Sequence, residues 1–181
     1  LDQLKNIIRP GISTEKINDF CHNMIIENEA TPAPLGYKGF PKSICTSVNH
    51  VVCHGIPSEK KILQEGDIIN VDITVILKGW HGDSSRMFVA GKINKKAELL
   101  IKTTFECLMR GIEVAKPGNF SGDIGYEIQK HAESKNYSVV RDFCGHGIGK
   151  KFHDYPNILH YGKKGTGIKL KAGMVFTVEP M

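Results

Sequence analysis

Apolar and polar side chains alternate along residues 67–77, DIINVDITVIL, and this pattern predicts a β-strand with one apolar face. The next two residues, Lys78 and Gly79, suit a two-residue hairpin loop. We therefore expect a second strand to return from Trp80 and to pair with the first in antiparallel fashion.

The predicted hairpin places two aspartates on one face. Counting outward from the loop, Asp72 lies opposite Ser85 and Asp83 lies opposite Thr74. The aspartates are then diagonal neighbours, roughly 7–8 Å apart at the backbone, and their side chains can meet. Two ionised carboxylates this close repel each other, so either they share a proton or a cation lies between them. The alternative is that one aspartate is an exposed turn residue.

Two other segments, RPGISTEKI (9–17) and KPGNFSGDI (116–124), combine a Pro-Gly pair with a helix start. Ser13 or Thr14 can cap the first helix, and Ser121 can cap the second. Apolar residues recur at helical spacing after both starts: Ile17, Cys21, Met24 and Ile25 in the first segment, and Ile124, Ile128 and Ala132 in the second.

The two Pro-Gly pairs are 107 positions apart, and a second match occurs at the same offset. LQEGDIINVDI (63–73) aligns with LKAGMVFTVEP (170–180), which places Asp72 on Glu179. Two matches at one offset predict a duplicated helix-then-strand unit, whose period is too long for a solenoid. Each copy would supply an acidic residue to a pseudo-symmetric centre. The counterpart of Asp83 would fall at or beyond position 190.

Three histidines lie in distinctive surroundings. His146 is flanked by glycines in CGHGIGKKFHDYP (144–156), His153 follows seven residues later, and His54 lies in VCHGIP. An isolated histidine is more often a core residue, but beside three strand carboxylates these favour a divalent ion such as Mn, Fe, Co or Zn. A carboxylate-bridged pair of ions about 3.5–4 Å apart would generate a hydroxide nucleophile at neutral pH. The remaining histidines are interpreted as surface or structural residues: His22, His50, His81, His131 and His160.

Composition limits the class of protein. The 181 residues are 40% apolar and 24% charged, and no apolar run approaches the roughly 18 residues of a membrane span. We expect one soluble domain without a secretory leader. Five cysteines without a C-x-x-C pair argue against a disulfide framework or a structural zinc site and favour the cytosol. The net charge of +5 comes from dispersed lysines, which indicates a solvated surface rather than a nucleic-acid footprint.

Four motifs together resemble the type I methionine aminopeptidases over essentially the whole chain: YKGFPKSICTSVNHVVCHGIP, VDITVILKGWHGDSSRMF, CGHGIGKKFHDYPNILHYG and GMVFTVEPM. The resemblance implies an α+β pita-bread fold, in which pseudo-two-fold duplicated helix and antiparallel-strand units surround a central curved sheet. It also implies that residues 1–181 are a single catalytic domain truncated at both ends. A short N-terminal segment and the C-terminal hairpin, with its second bridging glutamate, would be absent.

The resemblance assigns roles to ten residues. It implies that the metal ligands are Asp72, Asp83, His146 and Glu179, with Asp72 terminal on one ion, Asp83 bridging both, and the other two completing the second ion. Glu179 would also be the general base, and His54 and His153 would contact the substrate near the scissile bond. A pocket for the methionine side chain would be formed by Tyr37, Phe40, Cys45 and Phe152, which the residues alone would assign to the core.

The function implied is removal of the initiator methionine from nascent proteins, by attack of a metal-activated water on the first peptide bond. Two divalent ions (Co, Mn, Fe or Zn) would be the cofactors of a cytoplasmic monomer. The ribosome is a candidate partner, and no membrane or specific nucleic acid is expected. One alternative is a proline-directed aminopeptidase or prolidase, whose catalytic domains share this fold. Another is a non-catalytic pita-bread module that binds RNA, ribosomes or proteins.

Overall fold

The predicted hairpin contains the two longest strands of the chain. In the computed structural model, which describes residues 1–181, strand β3 spans Ile68–Leu77 and strand β4 spans Trp80–Val89. Lys78 and Gly79 connect them with φ angles of +51° and +82°, the left-handed conformation that this two-residue loop requires. The pairing runs from Leu77 with Trp80 at the loop to Ile68 with Val89 at the far end. The hairpin prediction is confirmed.

Residues 1–98 form one compact unit built on this hairpin. Two short strands, β1 (Thr31–Pro32) and β2 (Cys45–Val48), pair with β3 in antiparallel fashion and complete a four-stranded sheet. Helix α1 spans Thr14–Glu27. Its buried apolar side belongs to the same core as the sheet, together with the 3₁₀ turn Asp2–Asn6. The core residues are Leu4, Ile8, Ile17, Cys21, Ile44, Val48, Leu63, Ile69, Val71, Phe88 and Ala90.

Residues 99–181 form the second compact unit. Helix α2 (Lys95–Val114) leads into it, and helix α3 (Ser121–Ser134) follows. Strands β5 (Gly145–Gly147) and β6 (Asp154–Ile158) then pair as a small antiparallel sheet. The core of this unit consists of Cys107, Ile124, Ile128, Ala132, Ile158 and Leu170.

The two units repeat the same hydrogen bonds at the predicted offset. Helices α1 and α3 begin and end 107 positions apart. The Gly11 N–H donates to the Leu63 carbonyl at 2.8 Å, and the Gly118 N–H donates to the Leu170 carbonyl at 3.0 Å. An isolated bridge joins Ser13 to Ile62 in one unit and Phe120 to Lys169 in the other, again at the same offset. The duplication is therefore a feature of the fold as well as of the sequence.

The helix starts differ from the prediction in one respect. Ser13 caps α1, because its hydroxyl accepts from the Lys16 N–H at 3.2 Å. Ser121 does not cap α3: it is the first helical residue, and its hydroxyl accepts from the Ile168 N–H at 3.0 Å. The cap position belongs to Phe120, whose side chain has no acceptor. The Asp123 carboxylate reaches back instead and accepts from the Phe120 N–H at 2.7 Å.

None of the helices has the length and hydropathy that a transmembrane segment requires. None of the five cysteines forms a disulfide. The prediction that residues 1–181 act as a single catalytic domain stays a prediction.

Candidate metal centre

The first unit presents two carboxylates on adjacent strands. Asp72 lies in the middle of β3, paired with Cys45 of β2 on one side and with Ser85 of β4 on the other. Asp83 lies on β4 opposite Thr74, so the two aspartates are diagonal neighbours as predicted. Both side chains are half-buried within regular strands, and neither aspartate is a turn residue.

The Cys45 thiol lies close enough to both carboxylates for their charges to affect its pKa. Cys45 is 6% exposed, and burial is the main cause that raises the pKa of its thiol to about 12. The charges of Asp72, Cys53 and Asp83 raise the pKa further. Cys45 is consequently a neutral thiol at physiological pH, next to two carboxylates.

His54 is held close to strand β2 by its neighbour Gly55. The Gly55 carbonyl accepts from the Thr46 N–H at 2.8 Å, and the Gly55 N–H donates to the Ser47 hydroxyl at 3.1 Å. A Cβ on Gly55 would overlap the carbonyl oxygen of Thr46. The imidazole of His54 is accessible but partly desolvated, which lowers its pKa, while the Asp83 carboxylate acts in the opposite direction.

The second unit holds His146 in the middle of three extended segments. Strand β5 lies between β6 and the segment around Phe176, which bridges to Gly147. A Cβ on Gly145 would overlap the Thr177 carbonyl, and one on Gly147 would overlap the Tyr155 carbonyl. Neighbouring backbone therefore approaches closely at both glycines, which explains why the residues that flank His146 have no side chains.

The imidazole of His146 is oriented by its own strand. Nδ1 lies 2.9 Å from the Gly147 carbonyl oxygen, and a carbonyl can only accept, so Nδ1 carries the proton. In the neutral ring the lone pair then belongs to Nε2, which lies 3.6 Å from Oε1 of Glu179. A carbonyl partner on the far nitrogen is the usual arrangement of a metal-binding histidine.

Glu179 is oriented by Thr177. The Thr177 hydroxyl donates to Oε1 of Glu179 at 2.6 Å and accepts from the His146 N–H at 2.9 Å. Thr177 and Glu179 are two positions apart in an extended segment, so their side chains lie on the same side of the backbone. A single hydroxyl therefore links the histidine strand to the carboxylate.

His153 and Phe152 extend this arrangement. The rings of His146 and His153 have centroids 4.3 Å apart, and Phe152 stacks on His153 at 4.2 Å with an interplanar angle of 23°. The structure thus brings His153 and Glu179 next to His146 within the second unit. Their roles at a metal site stay a prediction.

The predicted pocket residues divide between the units. Tyr37 begins the 3₁₀ turn Tyr37–Gly39, and the Phe40 N–H donates to the Tyr37 carbonyl at 2.9 Å. Tyr37, Phe40 and Phe152 are half-buried and belong to neither hydrophobic core. An assignment of these three aromatic residues to the core is therefore wrong.

Sequence reasoning missed two residues of the second unit. Thr177 was not predicted, although the alternation in Thr177-Val178-Glu179 could have indicated its position. His160 was interpreted as surface or structural, and the structure shows it fully buried, with Nε2 accepting from the Glu179 N–H at 3.0 Å. Burial lowers the pKa of His160 to about 4.

The donor chemistry of these residues suits a divalent cation. Carboxylate oxygens with one imidazole match ions of hard or borderline character. Neither unit by itself gathers three or more His, Cys, Asp or Glu side chains in a metal-binding arrangement. The first unit contains Asp72 and Asp83, and the second contains His146 and Glu179.

The model of metallopeptidase family M24 matches residues 1–181. The chain belongs to this family. Among its M24 relatives, the methionine aminopeptidase of Rickettsia prowazekii (strain Madrid E) is 59% identical over 181 residues, which are 100% of this chain and 70% of that protein. The methionine aminopeptidase of Escherichia coli (strain K12) is 47% identical over 182 residues, covering 100% of this chain and 69% of the relative.

Comparison with solved structures confirms the pita-bread fold. The crystal structure of methionine aminopeptidase from Rickettsia prowazekii superposes with a TM-score of 0.97 at 59% identity, over 99% of this chain and 72% of that one. The X-Pro aminopeptidase from Thermotoga maritima MSB8 has a TM-score of 0.80 at 21% identity, over 97% of this chain and 47% of that one. At this lower identity the likeness concerns the fold alone.

Proposed function

We propose that this M24 metallopeptidase removes the N-terminal methionine from nascent proteins. The observation that carries the proposal is 59% identity over all 181 residues to a methionine aminopeptidase. The orientation of the proposed ligands supports it. Nε2 of His146 and Oε1 of Glu179 lie 3.6 Å apart, with Nδ1 of the ring on the Gly147 carbonyl and Oε1 of the carboxylate accepting from the Thr177 hydroxyl.

Four residues would hold the metal in this proposal: Asp72, Asp83, His146 and Glu179. Two divalent ions are proposed, drawn from Co, Mn, Fe and Zn. When bound, such ions supply Lewis-acid chemistry, lowering the pKa of water and polarising a carbonyl. Glu179 would accept the proton of the attacking water, since its carboxylate is held by Thr177 and lies beside His146. His54 and His153 would hydrogen-bond the peptide near the scissile bond.

The substrate pocket would be lined by one buried thiol and three half-buried aromatic rings: Cys45, Tyr37, Phe40 and Phe152. A thioether favours such surroundings, because sulfur makes favourable contacts with aromatic rings. The raised pKa of Cys45 keeps its thiol uncharged, so that the methionine side chain meets no anion at this position.

The proline-directed alternative has weaker support. The X-Pro aminopeptidase likeness shows only the fold, whereas the methionine aminopeptidases match at 47–59% identity over the whole chain. The non-catalytic alternative is disfavoured, because all four proposed ligand positions keep donor side chains.

The proposal also includes action as a cytoplasmic monomer on chains that emerge from the ribosome.

The test is peptide hydrolysis by the full-length protein. After removal of metal with a chelator, each of Co, Mn, Fe and Zn is added back, and hydrolysis of Met-Gly-Met is compared with that of a Gly-Pro dipeptide. We expect metal-dependent release of methionine and no comparable Gly-Pro hydrolysis. Hydrolysis that persists in the chelator, or a preference for Gly-Pro, would contradict the proposal.

The substitution Asp83→Ala tests the role of one proposed ligand. Asp142→Ala is the matched control, because Asp142 is an exposed aspartate that is not a proposed ligand. Mutation of residues that only orient metal ligands typically lowers activity 10- to 100-fold. Loss of a ligand itself should therefore lower the rate of hydrolysis at least as much. Full activity of the folded Asp83→Ala protein would show that Asp83 holds no essential metal.

A further inference from the structure

Glu179 is restrained at its backbone as well as at its carboxylate. Its N–H donates to Nε2 of His160 at 3.0 Å, so the restraint comes from a side chain. Pro180 follows directly and disfavours helical backbone angles at Glu179. With Thr177 on Oε1, the residue is held at its amide, its carboxylate and its C-terminal neighbour.

The place of His160 is itself fixed by packing. It lies two residues after β6, and its side chain is 0% exposed. Helix α3 lies directly against the backbone on both sides of it. A Cβ on Gly125 of α3 would overlap the Tyr161 carbonyl and lie 2.8 Å from the Leu159 carbonyl oxygen. The imidazole therefore has little freedom to move away from Glu179.

Packing alone does not explain a histidine at this position. Nε2 accepts from an amide, so the ring proton of the neutral imidazole is on Nδ1, and Nδ1 is buried without a hydrogen-bond partner in the protein. A buried polar atom without a partner is unfavourable, and an apolar side chain would fill the same space without that cost. The one contact here that an apolar side chain could not supply is the hydrogen bond from the Glu179 N–H.

We propose that His160 is a positioning residue, which fixes the backbone of Glu179 so that its carboxylate stays beside Nε2 of His146. The role rests on the proposed function, in which Glu179 is both ligand and base. His160 touches neither substrate nor metal in this proposal and acts only through Glu179. Loss of the bond should therefore weaken metal binding and lower kcat, while KM changes little.

Two substitutions test the role in the full-length protein. His160→Leu removes the acceptor, and His160→Gln restores one at a reach similar to that of Nε2. His131→Leu is the control, because His131 is another buried histidine of the same unit that contacts Glu106 instead. In the metal-free protein, hydrogen exchange of the Glu179 amide reports the bond directly. Calorimetric titration with Mn or Co, followed by kcat and KM for Met-Gly-Met, reports the consequence.

For His160→Leu we expect faster exchange of the Glu179 amide, and losses in metal affinity and kcat on the order of 10- to 100-fold. His160→Gln should recover most of each loss, and His131→Leu should leave metal affinity and kcat unchanged. If His160→Leu does not fold, His160→Asn replaces it, because its shorter side chain cannot reach the amide.

The proposal is overturned if the folded variant that lacks the acceptor keeps the amide protection, metal affinity and kcat of the wild type. Equal losses in His160→Leu and His160→Gln would overturn it as well, since they would indicate a packing role. A wild-type protein that hydrolyses no Met-Gly-Met with any metal would instead refute the proposed function. The exchange measurement would still decide whether His160 restrains Glu179.

Discussion

Nε2 of His146 lies 3.6 Å from Oε1 of Glu179, while Nδ1 of the same ring is engaged by the Gly147 carbonyl. The hydrogen bond from Nδ1 to the Gly147 carbonyl thus fixes the direction in which Nε2 points. The glycines on both sides make this possible, because they let neighbouring backbones approach the histidine from two directions.

Gly145→Ala should destabilise the protein by about 1–3 kcal/mol, because the new Cβ overlaps a backbone oxygen of Thr177 that cannot swing away. Gly82→Ala is the control, since its Cβ would meet only the Val75 side chain at an ordinary 3.9 Å. Urea unfolding curves of the metal-free proteins measure both changes. Equal stabilities for the two variants would show that β5 can shift to admit a side chain.

Asp72→Asn should stabilise the metal-free protein while impairing metal binding. The substitution removes repulsion between the carboxylates of Asp72 and Asp83, which are diagonal neighbours on paired strands. Bound metal at 100 times its Kd should add about 2.7 kcal/mol to the wild type, and Asp72→Asn should lose most of that gain. Thermal unfolding with and without metal separates the effects. A lower stability of the metal-free variant would contradict the expected repulsion.

Thr177→Val should lower kcat and metal affinity on the order of 10- to 100-fold, because valine cannot donate to Glu179 or accept from the His146 N–H. Thr177→Ser keeps the hydroxyl and should restore most of the activity. Steady-state kinetics on Met-Gly-Met compare the two. Serine and valine variants with the same kcat would exclude a role for the hydroxyl.

Asp123 should contribute a pH-dependent part of the stability. Hydrogen bonds from the Gly165 and Phe120 N–H groups lower the pKa of its carboxyl below the ordinary value. The stabilisation is therefore present above the unfolded-state pKa and is lost as pH falls through the lower folded-state pKa. Asp123→Ala should cost about 1 kcal/mol at neutral pH, as other helix caps do, and less in acid. Urea unfolding at several pH values measures this difference. A cost that does not shrink as pH falls would contradict the capping role.

The hairpin and the repeat were predictable because local rules determine them. A two-residue loop sets the register of β3 and β4, so counting outward from Lys78 and Gly79 was enough to place Asp72 and Asp83 on one face. The 107-residue offset was readable because glycines mark equivalent turns in the two units. The glycines of the two Pro-Gly pairs, Gly11 and Gly118, have φ angles of +90° and +98°, and Gly66 and Gly173 have φ angles of +89° and +88°, which few other residues adopt.

Contacts between segments that are distant in sequence were not predictable. His160 and Glu179 are 19 residues apart, and no periodicity of the sequence relates a buried imidazole to a backbone amide at that separation. The cap of α3 was misassigned for a local reason. Ser121 has the right side chain for a cap, but the repeat places Phe120 at that position, and Asp123 compensates from within the helix.

The only tryptophan of the chain, Trp80, lies at the hairpin loop, three residues from Asp83. Its side chain is 57% exposed, so its fluorescence emission should be that of an indole in contact with water. The hairpin therefore contains its own optical reporter. Trp80 pairs with Leu77 whereas Asp83 pairs with Thr74, so the indole and the carboxylate lie on opposite faces of the hairpin. Its emission therefore reports the folding of the hairpin loop without a label or an engineered residue.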